Sequence, residues 1–238
     1  MKPAMNRIKT FIAAALVGAL IAGCATDDPN RSAKTGVAIG AVLGAIAGSQ
    51  INKDDKKKGA VIGAVVGALG GGAVGAYMDK QRAELERKLK AETEARELSI
   101  TKIGDDALKI GIASDASFDV GSAHLKPDAL NTYAKIASVL KDYDKTVIHI
   151  VGHTDSTGTD ENNQSLSERR AATVGSYLTG NGLVAGRVRE EGRGEREAIA
   201  SNDSKDGKQK NRRVDIIIKP VIEGREEQAW TSPPYLGS

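Results

Sequence analysis

Hydrophobic positions along the chain follow several different spacings, and each spacing marks a different element. From Phe11 to Ala22 they form one unbroken apolar run of about a dozen residues. From residue 35 to 78 apolar side chains fill the gaps between glycines at every fourth position: Gly36, Gly40, Gly44 and Gly48, then Gly59, Gly63, Gly67, Gly71 and Gly75. A spacing of four lines up the glycines of each run on one ridge of a helix. From Asp79 to Leu98 the pattern is almost wholly polar and rich in strong helix formers, with Leu85 and Leu89 as a narrow apolar seam. Residues 99–220 then alternate between strand-like and helix-like stretches.

In that last region, Ile100–Ile103 and Ala107–Ile112 predict a hairpin across Gly104-Asp105-Asp106. Pro127 sits where a helix tolerates proline, at its first position, and Leu130, Tyr133, Ile136, Ala137 and Leu140 keep helical period after it. Val147–Val151 predicts a strand. A helix follows from about Asn163 to Leu178, closed by Gly180-Asn181-Gly182. Val188–Glu190 and Val214–Ile218 predict two more strands. The order implies an α+β domain, a mixed sheet with helices packed on one face. Residues 221–238, with Pro233-Pro234, predict a disordered tail.

The glycine runs need their own explanation. Glycine costs a helix in water about 1 kcal/mol per residue relative to alanine. Glycine ridges let two helices approach closely, and lipid forces the backbone to bond internally. Both runs are near spanning length, and the charged stretch Asn52–Lys58 separates them. The predicted structure for 35–78 is a helical hairpin, packed glycine face to glycine face. A flexible Gly/Ala linker is the other reading, and the strict period counts against it. The segment 79–98 predicts a solvated helical spacer, of roughly 30 Å at about 1.5 Å per residue.

Composition narrows the chemistry. The 238 residues include one cysteine, three histidines and 8 aromatic side chains, so the core must be built from Ala, Val, Ile and Leu. One cysteine excludes an internal disulfide and a Cys-based zinc cluster. The formal net charge of +3 comes entirely from Lys2, Arg7 and Lys9. The remainder is neutral, which argues against a nucleic-acid partner. Basic start, apolar run and Leu20-Ile21-Ala22-Gly23-Cys24 form the three regions of an export signal. This resembles a bacterial lipoprotein signal spanning 1–23, with Met1 or Met5 as the start. Cys24 is then the lipidated first residue, followed by a polar tether at 24–34. Several acyl chains on one residue anchor stably, at about 0.8 kcal/mol per buried CH₂. Ala25, not Asp, follows the cysteine, and the resemblance therefore points to the outer membrane.

Three further segments carry a specific resemblance. They are Gly152-His153-Thr154-Asp155-Ser156-Thr157-Gly158, then Asn163-Gln164-Ser165-Leu166-Ser167-Glu168-Arg169-Arg170-Ala171, and Asn211-Arg212-Arg213-Val214. With Phe118 and Leu125-Lys126-Pro127 upstream, they resemble the OmpA-like peptidoglycan-binding domain. Ala198 stands where that family usually has a proline. With the lipidation signal and the glycine zipper, the chain is similar to YiaD-type outer-membrane lipoproteins. The resemblance implies an OmpA-like α/β sandwich over 99–220 that binds peptidoglycan through its diaminopimelate. It assigns the ammonium acceptor to Asp155 and the carboxylate grip to Arg170. Thr154, Asn163, Leu166, Asn211 and Arg212 surround them.

The residues themselves support that chemistry. The diaminopimelate side chain ends in both an ammonium and a carboxylate, and recognising it needs an acid and a base held close together. Asp155 ends a strand and Arg170 lies 15 residues on, in the following helix. Arg suits a bidentate grip on a carboxylate. A purely structural Asp155–Arg170 salt bridge is the competing reading. Arg212 and Arg213 also fit as sheet-edge charges. His149 and His153, four apart on one strand, lack a third metal ligand. No Gly-x-Ser-x-Gly, His-Glu-x-x-His or phosphate loop occurs, so neither an enzyme nor a cofactor is expected. The leading expectation is a non-enzymatic tether between outer membrane and cell wall, with the C-terminal domain in the periplasm. The alternative is an oligomeric membrane assembly or pore, driven by self-association of the glycine ridges.

Overall fold

The computed structural model describes residues 67–104 and 106–234. Cys24, the export signal, the tether and the glycine hairpin up to residue 66 lie outside the described residues. So do most of the glycines on which self-association would depend.

A five-stranded mixed sheet organises the chain. Its strands are β1 (Leu98–Ile103), β2 (Ala107–Ala113), β3 (Thr146–His153), β4 (Val188–Gly192) and β5 (Arg213–Pro220), in the spatial order β1-β2-β5-β3-β4. All neighbours are antiparallel except β3 and β4. The β3–β4 crossover holds the long helix α5 (Asp160–Gly180). The other helices are α1 (Val74–Lys88), α2 (Lys90–Glu94), α3 (Ser114–Ser117), α4 (Pro127–Asp142), α6 (Lys205–Asn211) and α7 (Glu226–Trp230). The short helices α3 and α6 carry too little apolar period to be predicted from the sequence.

Alternation along the strands decides which face each residue joins. Leu108, Ile110 and Ile112 of β2, Ile148 and Ile150 of β3, and Val214, Ile216 and Ile218 of β5 point into one core. There they meet Tyr133, Ile136 and Leu140 of α4 and Ala171, Val174 and Leu178 of α5. Every residue of β3 is buried, so this strand is covered on both faces. Gly152 and Gly192 are cross-strand partners beneath α5. A Cβ at Gly152 would run into the Ser167 carbonyl, and one at Gly192 into the backbone of Glu168. These two glycines let the helix lie directly on the strand ends that lead to the site.

Three sequence expectations change. First, the segment 79–98 is helical only as far as Glu94, gives way to β1 at Leu98, and is not a solvated spacer. Met78, Leu85 and Leu89 are buried in the main core. Lys88 donates to Ser138 of α4 (2.6 Å), and Lys135 of α4 pairs with Glu92 of α2 (2.6 Å). The buried stripe is wider than the Leu85/Leu89 seam because Gln81 and Glu92, polar in sequence, are also buried on that face.

Second, the glycine helix does not run unbroken to residue 78. Leu69 makes a parallel bridge with Ile222; its N–H donates to Val221 (2.7 Å) and its carbonyl accepts from Glu223 (2.9 Å). Gly70 is extended, and a 3-10 turn at Gly71–Ala73 opens α1. Three consecutive glycines make helix propagation costly, so the helix starts after them.

Third, residues 221–234 are not a disordered tail. They cross the second face of the sheet, where Val221 and Ala229 pack on Val147. Lys219 donates to the Thr231 carbonyl (2.9 Å), Arg189 lies over the Trp230 ring (4.5 Å), and Arg193 donates to the Pro233 carbonyl (2.6 Å). Among the described residues no helix is long and apolar enough to cross a membrane.

Candidate functional site

The site forms where β3 ends. Beyond His153, Thr154 donates its N–H to the Gly194 carbonyl (2.9 Å), which keeps the chain beside the end of β4 for one more residue. Asp155 then turns it: one carboxylate oxygen accepts the Thr157 N–H at 2.8 Å. Such an Asx turn needs a short side-chain acceptor two residues before the donor. Gly158 takes a positive φ of 105°. Thr159 caps α5 by accepting the Asn162 N–H. Ser165 and Glu168, which match a capping box in sequence, lie inside the helix. Asn163, Ser167 and Arg170 share the buried face of α5.

Asp155 and Arg170 are both buried, but they are not each other's ion-pair partner. The second Asp155 oxygen accepts from Arg212 at 2.7 Å. Arg212 also makes a bidentate fork to Asp115 of α3, at 3.2 and 2.9 Å. The chain of charges is therefore Asp115–Arg212–Asp155. Burial pushes the Asp155 carboxyl up, yet hydrogen bonds from Arg212 and Thr157 outweigh it and hold the carboxyl below its ordinary range. Asp115 and Asp155 raise Arg212 well above the usual guanidinium value.

Arg170 is held differently. Its Nε donates to the Ser122 carbonyl (2.9 Å), its Nη2 reaches the Asp119 carbonyl (3.5 Å), and its guanidinium lies over the Phe118 ring at 5.0 Å. It is 3% exposed and has no carboxylate in salt-bridge contact among the described residues. Burial lowers its pKa; Asp115 and Asp155 act on it only through space, and Arg212 repels it. The arrangement is an acid and a base that feel each other's charge, with the acid already paired and the base short of a counter-ion among the described residues.

The remaining predicted residues fall into two groups. The buried Thr154 hydroxyl has no hydrogen-bond partner among the described residues. Asn163 donates to Glu195 at 2.6 Å, and Leu166 is half-buried one turn before Arg170. Asn211 uses all four of its amide positions internally. It accepts from Ile199 and Ala200, and donates to the Ala200 carbonyl and to Asn202. Asn202 in turn accepts the Ser156 N–H (3.3 Å), so Asn211 reaches the Asp155 turn through the 199–202 loop. Asp115 is the residue the sequence did not reveal. It lies 97 positions from Arg212, on a four-residue helix with no pattern to mark it.

The two histidines do not build a metal site. Nε2 of His149 lies 2.7 Å from the Ala229 carbonyl. His153 lies 3.5 Å from Asp215 and 4.0 Å from Glu197. Those carboxylates are paired with Arg213 and Arg193. Burial, with Arg213, Arg193 and Lys109 nearby, drives the His153 pKa down to about 2. Among the described residues no group of three or more potential ligands could hold a metal.

Fold and site together define an OmpA-type domain, and comparison with known proteins agrees. The OmpA family model matches residues 117–212, and the YMGG-like Gly-zipper model matches residues 5–79. The probable lipoprotein YiaD of Escherichia coli (strain K12) is 42% identical over 224 residues, which cover 91% of this chain and 100% of that one. The chain therefore belongs to the YiaD family of lipoproteins, in which an N-terminal glycine zipper precedes an OmpA domain. The outer-membrane lipoprotein YfiB of Pseudomonas aeruginosa is 35% identical over 49% of this chain and 70% of its own. Among solved structures, the cell wall anchor of the T6SS from Pseudomonas aeruginosa superposes with a TM-score of 0.53. It has 29% identity and covers 58% of this chain and 99% of that one.

Proposed function

We propose that this lipoprotein holds the outer membrane to the cell wall by gripping the diaminopimelate of peptidoglycan without a covalent bond. The observation that carries the reading is Arg170, a buried guanidinium without a carboxylate partner among the described residues, within electrostatic reach of the ionised Asp155. A ligand with both a carboxylate and an ammonium completes the pair: the carboxylate goes to Arg170 and the ammonium to Asp155. Asp155 can take a further donor, because a carboxylate has about four acceptor positions and two are in use. Thr154 offers its hydroxyl, which has no partner among the described residues. Arg212 and Asp115 fix the acid, and Asn211 shapes the loop beside it.

The polarity of the domain fits a tether. The stem at Ala68–Leu69 docks near Val147 at the start of β3, and Tyr77 of α1 accepts the Lys145 N–H (3.0 Å). The candidate site lies at the other end of β3, about 23 Å away at ~3.3 Å per residue. Lipid on Cys24 would hold the membrane on the stem side, and the site would face the wall within the periplasm. The similar cell wall anchor lends the same direction to the reading. The relatives carry lipoprotein and membrane-protein names, and the reading requires no catalysis.

The test is retention of the full chain by purified peptidoglycan sacculi. Asp155→Ala and Arg170→Ala should each weaken binding by roughly tenfold or more, as expected for losing a charge-assisted hydrogen bond of about 1.5–3 kcal/mol. Retention at wild-type levels by both variants would overturn the site.

A further inference from the structure

An open cleft of about 590 Å³ adjoins the candidate site on the outer flank of α5. Ala172, Thr173 and Ser176 form one wall, the loop carrying Ser122 forms the other, and Arg169 and His124 stand on the lining. Ser122 joins the cleft to the site, because its carbonyl also holds Arg170. No acidic residue lines this cleft. The smaller cavity of about 220 Å³ beside Asp115 is predominantly acidic, with Glu97, Asp115 and Asp128 against the single base Lys126. A ligand seated at Arg170 and carrying a second negative group would therefore extend along α5 and not toward α3.

Peptidoglycan supplies such a group. In diaminopimelate-type walls the preceding residue is a D-glutamate linked through its γ-carboxyl, so its α-carboxylate stays free. We infer that the cleft along α5 is a second subsite that receives this glutamyl carboxylate on Arg169. The inference rests on the peptidoglycan reading above and extends it to the stem peptide. Arg169 is exposed, and one of its five N–H donors is used, on Ser165 at 2.5 Å. The others have no partner among the described residues. The small side chains of Ala172, Thr173 and Ser176 keep the cleft open along the helix.

The test compares three probes by calorimetry with the full chain: free meso-diaminopimelate, the tripeptide L-Ala-γ-D-Glu-meso-diaminopimelate, and the same tripeptide with the glutamyl α-carboxyl amidated. The wild type should bind the acidic tripeptide at least fivefold more tightly than the amidated one. Ser176→Trp fills the cleft at an exposed position that does not disturb the core. It should cut tripeptide affinity several-fold and leave free diaminopimelate within twofold. Arg169→Ala should abolish the preference for acid over amide. Equal wild-type affinity for the acidic and amidated tripeptides would overturn the subsite while leaving the diaminopimelate site standing. Failure of the wild type to bind any of the three probes would overturn both.

Discussion

Asp155 is held ionised at a buried position by hydrogen bonds from Arg212 and Thr157, with Arg212 the larger contributor. The residue is 6% exposed, and burial by itself favours the protonated acid. Arg212 is in turn fixed by Asp115, so a residue outside the motifs positions the base that holds the proposed ligand acceptor ionised. The sign of the resulting pH dependence follows. The folded pKa of Asp155 lies below its unfolded value, so the stabilising contribution is complete above that unfolded value, about 3.9. It is lost as pH falls through the folded pKa. Replacing Arg212 with Gln removes the main hydrogen bond and leaves the desolvation. The Asp155 pKa should then rise, and retention on sacculi should fail at a higher pH than in the wild type. A carboxyl NMR titration of Asp155 in both proteins checks the shift directly; an unmoved pKa would mean that Thr157 alone holds the charge.

At the scale of elements, the C-terminal segment that ends in α7 acts as a strap over polar strands. His149 reaches the Ala229 carbonyl between Lys219 of β5 and Arg189 of β4, with Glu191 beyond them. Burial holds the His149 pKa below its ordinary value, and the two cations push it the same way. A depressed histidine contributes its full stability above an unfolded value of about 6.5, and loses it as pH falls further. Docking of the strap should therefore weaken in mild acid. Trp230 is the only tryptophan of the chain and lies under Arg189, so its fluorescence reports the event. The signal should change as pH falls below the ordinary histidine value of about 6.5. In a His149→Gln variant, which keeps a hydrogen-bond donor without the charge, the change should disappear.

For the whole molecule, the domain is larger than its motifs suggest. The patterned region 99–220 omits α1 and the residue that follows it, where Leu85 and Leu89 are fully buried, and omits the strap that covers Val147. A fragment cut at those limits exposes this apolar surface, at about 1.5–3 kcal/mol for each large side chain uncovered. Against a fragment spanning 67–234, it should unfold at clearly lower urea concentration, or fail to stay soluble. Equal midpoints would show that α1 and the strap are accessory. The same packing ties the membrane-side stem to the core: Leu69 bridges to Ile222, so stem and strap meet at the end of the sheet opposite Asp155.

The chain alone determined the elements whose burial follows a period. Tyr133, Ile136 and Leu140 mark α4, the β-branched run Val214–Ile218 marks β5, and Gly152-His153-Thr154-Asp155 with Asn163 to Arg170 marks the family and two residues of the site. Local patterns suffice there because neighbours in sequence share one face. The tertiary structure alone decided what crosses between distant segments. It gave Asp155 to Arg212 and left Arg170 to backbone carbonyls and the Phe118 ring. It packed the helical part of the polar stretch, up to Glu94, onto the core and turned the tail into a strap. Those outcomes depend on which side chains meet after the sheet closes, and a pairing across 97 residues leaves no periodic trace in the sequence.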